Sequence, residues 1–189
     1  MKNWIPGAAL LAAVMAMSPA ALDAQNCWVM RGNPADRPSP LDSAVVDMGG
    51  DMVKVCYGAP SAKGRTMVGD GGEHDYGEPW RTGANEATSI HLPFAATVAG
   101  VEVDAGSYSL YTVPGADSWG IFLNRTVERW GIPINAAVTA ENVGSGSAPS
   151  VANDHTERMT MSFENAMAGS ATLVLRWEGY RVEIPVTRR

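Results

Sequence analysis

From Thr88 to the C-terminus, apolar and polar residues alternate in short runs broken by glycine and proline. A period of two predicts strands with one dry and one wet face. Ser89-Ile90-His91-Leu92 reads as one such strand, with His91 opposite in parity to Ile90 and Leu92 and therefore set toward solvent. Thr97-Val98 and Val101-Glu102-Val103 flank Ala99-Gly100, and Gly106 opens the run Ser107 to Val113. Pro114-Gly115 then turns the chain into a segment where Trp119, Ile121 and Leu123 alternate with Gly120, Phe122 and Asn124. Met159, Met161 and Phe163 repeat the pattern, as do Val182, Ile184 and Val186, with Gly179 as the turn before the last strand. Ala171 to Trp177 is apolar on both faces and reads as a central strand.

Before Thr88 the pattern is weaker. Val45 to Met48 and Met52 to Tyr57 flank Gly49-Gly50-Asp51, which predicts a hairpin. Pro34, Pro38 and Pro40 exclude a regular element over residues 31–43 and give an extended lead-in to the first strand. Asn142 to Pro149, rich in Gly and Ser, reads as a flexible loop, and Glu128 to Gly131 as a short turn. No helix is long enough to support a parallel α/β sheet. The fold class is therefore all-β and mainly antiparallel: a single-domain β-sandwich, with barrel-like closure as the alternative.

The first residues change the picture of where this domain works. Lys2, the apolar run Ala8 to Met17 and the small residues after Ser18-Pro19 form the three-part build of a secretory signal peptide. The apolar run is about ten residues, short of the roughly 20 that span a bilayer. Cleavage after Ala24, with Ala21 as competitor, divides the chain into a signal peptide over residues 1–24 and a domain over 25–189 whose lead-in covers 25–43. The residues before Cys27, Ala24-Gln25-Asn26, do not suit a lipidation site. The expected location is periplasmic or extracellular, with no membrane span in the mature chain. Lys2 and Asp23 leave together, so the mature domain keeps the net charge of −6, which argues against nucleic-acid and anionic-membrane partners.

Export also bears on the two cysteines. In an oxidising compartment Cys27 and Cys56 are expected to pair, closing a loop of about 28 residues and contributing about 3 kcal/mol in the chain-entropy description. A buried thiol at Cys56 with Cys27 unpaired is the other reading.

Candidate chemistry concentrates in residues 73–88, where a histidine, a guanidinium, an amide and several carboxylates share one loop. Around it, Pro79-Trp80-Arg81-Thr82-Gly83-Ala84-Asn85-Glu86-Ala87-Thr88 and Ala105 to Gly115 resemble the bacterial domain-of-unknown-function family 2911. Ser39-Pro40-Leu41-Asp42-Ser43, Val55-Cys56-Tyr57-Gly58, Pro60-Ser61, Gly64-Arg65 and Trp130-Gly131 extend the resemblance over nearly all the mature chain. The resemblance implies an exported bacterial protein and leaves the reaction open.

Two accounts of the loop follow from its chemistry. In the first, Arg81 presents a planar fork to a small anionic or polar ligand, Asn85 adds a directional amide, Trp80 forms an apolar wall, and Glu86 and His74 complete the site. In the second, Arg81 pairs internally with Glu86 or Asp75, Gly83 takes a positive φ, and Trp80 fills the core. No spacing among His74, His91, His155, Glu73, Asp75, Glu86 and Asp154 matches a metal-ligand motif, and no Gly-x-Ser-x-Gly elbow is present, so no metal, cofactor or catalytic residue is assigned. Asn124-Arg125-Thr126 matches the N-glycosylation triplet but carries no assignment. The functional expectation is a non-catalytic small-ligand-binding or interaction module of the cell envelope. The alternative is a hydrolase, metal-assisted or not, working through His74, Arg81 and Glu86.

Overall fold

The computed structural model describes residues 26–189. The leader expected over residues 1–24 lies outside the described residues. Nine strands follow a short 3-10 turn at Pro34–Asp36: β1 (Leu41–Asp47), β2 (Met52–Gly58), β3 (Thr88–Leu92), β4 (Ala96–Val98), β5 (Val101–Val103), β6 (Gly106–Val113), β7 (Ser118–Asn124), β8 (Asn142–Met167) and β9 (Ser170–Arg188). A one-turn helix, α1 (Ala136–Thr139), capped by the Asn135 side chain, precedes β8. Among the described residues no helix is long and apolar enough to cross a membrane.

All neighbouring strands pair antiparallel, in the order β1-β2-β3-β6-β7-β8-β9-β4-β5. The sheet ends at β1 and β5 and is not closed, so the barrel-like alternative is not formed. Instead it bends at β8, whose first residues pair with β7 and whose later ones pair with β9. The inner faces of the two halves share one apolar core, in which Val53, Val55, Ile90 and Ile121 of the first join Val98, Met159, Leu173 and Ile184 of the second. Arg188 fastens the open side by donating to the Met48 carbonyl at 2.7 Å and to Asp51 at 2.6 Å.

Two expectations are corrected here. Asn142 to Pro149 is not a flexible loop: it pairs with β7 from Asn124 opposite Asn142 to Ser118 opposite Pro149. Its glycines provide room for the β4–β5 turn, since a Cβ on Gly146 would overlap the Ala99 carbonyl and one on Gly144 would press into Val101. Gly179, in turn, does not separate two strands. β9 runs on through it and bends at Glu178, which takes a φ of +49°.

His91 is the third correction. It occupies the outer face of β3, as its parity requires, but it is only 5% exposed. That face is roofed by the lead-in, which a disulfide between Cys27 and Cys56 fastens to the outer face of β2, with Cα atoms 5.6 Å apart. Cys56 lies directly across from Ser89, two residues from His91. The lead-in residues 26–29 and His91 line one cavity, so this polar face is shielded from bulk solvent without being filled.

Candidate functional site

The polar loop is built around an interruption of β3. Trp80 exchanges both backbone hydrogen bonds with Thr112 of β6, and regular pairing resumes only at Thr88 opposite Leu110. The intervening residues 81–87 are looped out and clamped on both sides. Ala84 donates to the Gly58 carbonyl at 3.2 Å, while the Gly131 N–H donates to the Asn85 carbonyl at 2.8 Å and Ala87 to that of Arg129 at 3.1 Å. Thr82 and Asn85 adopt φ of +58° and +66°. Positive φ is costly for a β-branched residue and is held only where the surroundings fix it. For Thr82 they do: it is wholly buried, with its hydroxyl bonded to the Trp80 carbonyl and Thr112 Oγ1 and its carbonyl accepting from Thr88 Oγ1 at 2.8 Å.

The five candidate residues separate into two groups. Trp80, Asn85 and Glu86 each turn inward to the protein. Trp80 is 2% exposed and stacks on Trp177 at 5.3 Å, with Trp119 edge-on at 5.9 Å. Asn85 donates through Nδ2 to the Ser39 carbonyl at 2.7 Å. Glu86 receives the fork of Arg37 at 2.5 and 3.0 Å and the Met30 N–H at 2.9 Å. Burial pushes the Glu86 carboxyl up, but the bonds from Arg37 and Met30 outweigh it and hold the group below its ordinary value. The internal partner of Glu86 is thus Arg37, 49 residues upstream, rather than Arg81.

Arg81 and His74 form the second group. Arg81 donates through Nε to the Gly83 carbonyl at 3.1 Å, and its aliphatic stem lies across Gly131, where a Cβ would collide with Cδ. Its terminal nitrogens have no hydrogen-bond or ion-pair partner among the described residues, and they are not sealed from solvent. Burial of the rest of the side chain lowers the guanidinium's pKa.

His74 stacks on Trp80, with centroids 4.9 Å apart, and also lies 6.3 Å from Trp177. It is carried by a tight loop that β9 holds in place. The Glu178 carboxylate, at the bend of that strand, accepts from the N–H groups of Met67 and Val68, and Tyr180 bonds both Tyr76 and the Val68 carbonyl. Burial, followed by the nearby charge of Arg81, pushes the His74 imidazole down to about 4, so at neutral pH it is uncharged and can both give and accept a hydrogen bond.

Among the described residues no three His, Cys, Asp or Glu side chains converge to hold a metal ion. His91 lies apart from this loop, bonded through Nε2 to Ser89 Oγ at 3.0 Å and through Nδ1 to Ser107 Oγ at 2.8 Å. The sequence does hold a signal for this cluster, because Ser89 and His91 share one parity and Ser107 opens the next strong strand. What it does not give is the register that sets His91 opposite Ser107. Arg37 carried no comparable signal, since it sits in a proline-rich segment remote from Glu86. Asn124 of the glycosylation triplet is fully buried, with Nδ2 bonded to Val138 and Asn142.

Fold and site together define an all-β, disulfide-bonded domain whose polar loop carries a half-buried arginine, Arg81, with terminal nitrogens that have no partner among the described residues. Residues 39–186 match the model of the family described as protein of unknown function (DUF2911), and the chain belongs to that family. Neither a curated protein nor a solved structure matches it.

Proposed function

We propose that this chain is an exported binding module of the cell envelope that takes a small anionic ligand, a carboxylate or a group of like shape, on Arg81 and His74. The observation that carries the reading is the Arg81 fork itself. A partly desolvated guanidinium ordinarily has a carboxylate or phosphate against it, because burial of an unpaired charge is costly. Arg81 has none among the described residues, while Nε and the stem are fixed so that the terminal nitrogens are pre-organised. His74, neutral and stacked on Trp80, lies near enough to feel the charge of Arg81 and adds a donor or acceptor to the site. Trp80, Asn85 and Glu86 act in this reading as the frame: they hold the loop to the core, to Ser39 and to the lead-in.

Export is supported by the leader-like residues 1–24 and by the disulfide, a bond that persists in oxidising compartments. The hydrolytic alternative draws no support from Glu86, whose two oxygens are already occupied by Arg37 and Met30.

A thermal-shift screen of acetate, succinate, citrate, phosphate and sulfate against a chloride background tests the proposal. A ligand at 100 times its Kd stabilises by about 2.7 kcal/mol. The expected outcome is a dose-dependent rise in Tm for wild type that Arg81→Ala abolishes. An equal rise in both proteins, or none in either, removes the proposal.

A further inference from the structure

Away from the Arg81 loop, the outer face of the sheet carries a second polar constellation. Ser89 and His91 on β3 stand opposite Ser109 and Ser107 on β6, so four polar side chains share one patch of sheet. His91 is held at both ring nitrogens, by Ser107 Oγ at 2.8 Å and Ser89 Oγ at 3.0 Å. Ser89 and Ser109 are buried, and the Ser109 hydroxyl has no partner among the described residues. Ser107 alone of the four is exposed. It opens, with His91, into a groove of about 450 Å³ whose other walls include Trp28, Val29, Val127 and Glu128.

This is the arrangement a nucleophilic hydroxyl needs. A serine is a weak nucleophile until an adjacent base accepts its proton, and the base works best when a third group fixes its ring and tautomer. Here an exposed hydroxyl contacts a buried imidazole whose far nitrogen is pinned by a second, buried hydroxyl. Burial, followed by the charge of Lys54 on the neighbouring strand, depresses the His91 pKa, which keeps the ring in the neutral form that can accept a proton.

We infer that Ser107 is a nucleophile, with His91 as its general base and Ser89 as the residue that orients His91, and that the groove takes carboxylic esters with an apolar acyl group. Trp28, Val29 and Val127 supply the apolar wall for that group. In the first step Ser107 Oγ bonds to the ester carbonyl carbon and passes its proton to His91 Nδ1. The carbon to alkoxy-oxygen bond then breaks, and the leaving alcohol takes that proton. Water reverses the sequence, giving its proton to Nδ1 as it attacks, so that the acid is released and the Ser107 hydroxyl restored. The disulfide contributes by fastening the lead-in, with Trp28 and Val29, over the groove. No residue of this site belongs to the Arg81 loop, so the inference stands apart from the binding proposal.

Reaction with an alkyl fluorophosphonate tests it, using protein with its disulfide intact. Ser107 Oγ bonds to phosphorus, fluoride leaves, and the hydroxyl proton goes to His91. Peptide mass spectrometry is expected to place the adduct on Ser107, with labelling slowed at least tenfold in His91→Gln and several-fold in Ser89→Ala. Because His91 is buried, Ser89→Ala is the arm that holds if His91→Gln does not fold. Labelling of some other residue, no labelling of folded wild type, or equal rates in wild type and Ser89→Ala overturns the inference.

Discussion

At the scale of single residues, the polar loop contains charges with different fates. Glu86 and Arg37 are a nearly buried pair, with side chains 7% and 13% exposed, and the Met30 N–H donates to the same Glu86 Oε1 that Arg37 Nη2 reaches. Removing one member of such a pair strands the other, which costs about 3 kcal/mol or more. Glu86→Ala is therefore expected to lose about 3 kcal/mol at pH 7 in urea denaturation. Because the folded-state pKa of Glu86 is lowered, its contribution is complete above its ordinary value of 4.5 and is lost as pH falls through the folded one. The gap between wild type and variant should accordingly narrow in acid; a gap that stays constant below pH 4 contradicts the pairing. Neither partner was legible as a pair in the sequence, because both lie on irregular segments and only the folded lead-in brings them together. Trp80, by contrast, was legible as either wall or core, and its stack on Trp177 gives it to the core.

At the scale of elements, alternation located β2 and β4 to β7 well, whereas β1 begins at Leu41 inside the stretch 31–43 expected to hold no regular element, and β3 is buried on both faces. Alternation failed where close packing replaced side chains with glycine. Residues 142–149 carry the composition of a linker, yet β7 pairs with all of them but Val143, and the β4–β5 turn sits where side chains would otherwise be. Gly146→Ala tests this directly. The added methyl must displace the Ala99 backbone, and overpacking of this kind costs about 1–3 kcal/mol or more. The expected loss in stability is at least 2 kcal/mol, against less than half that for Gly169→Ala, where a Cβ meets nothing within 4 Å. Equal tolerance at both positions would mean that 142–149 is the loose loop its composition suggests. β9 misled for a related reason: the bend at Glu178, which the side chain uses to hold Met67 and Val68, resembles a turn when read along the chain.

At the scale of the whole molecule, the bent sheet and the tethered lead-in create two separate polar regions on one scaffold. The disulfide, closing a separation of 29 residues, contributes about 3 kcal/mol in the chain-entropy description and keeps the outer face of β2 and β3 covered. The bend of β9 fixes the loop that carries His74, and the interruption of β3 fixes Arg81. The sequence pointed to the right loop but not to the division of labour within it, since that depends on which side chains find partners in three dimensions. The central claim is that Arg81 and His74 form one anion site, and titrating His74 by proton NMR reads it most directly. Free wild type should titrate near 4. Arg81→Ala should raise that value while burial still holds it below 6.5, and an anion bound to wild type should raise it as well, with no such response in the variant. A His74 pKa indifferent both to Arg81→Ala and to every anion tested would contradict the account.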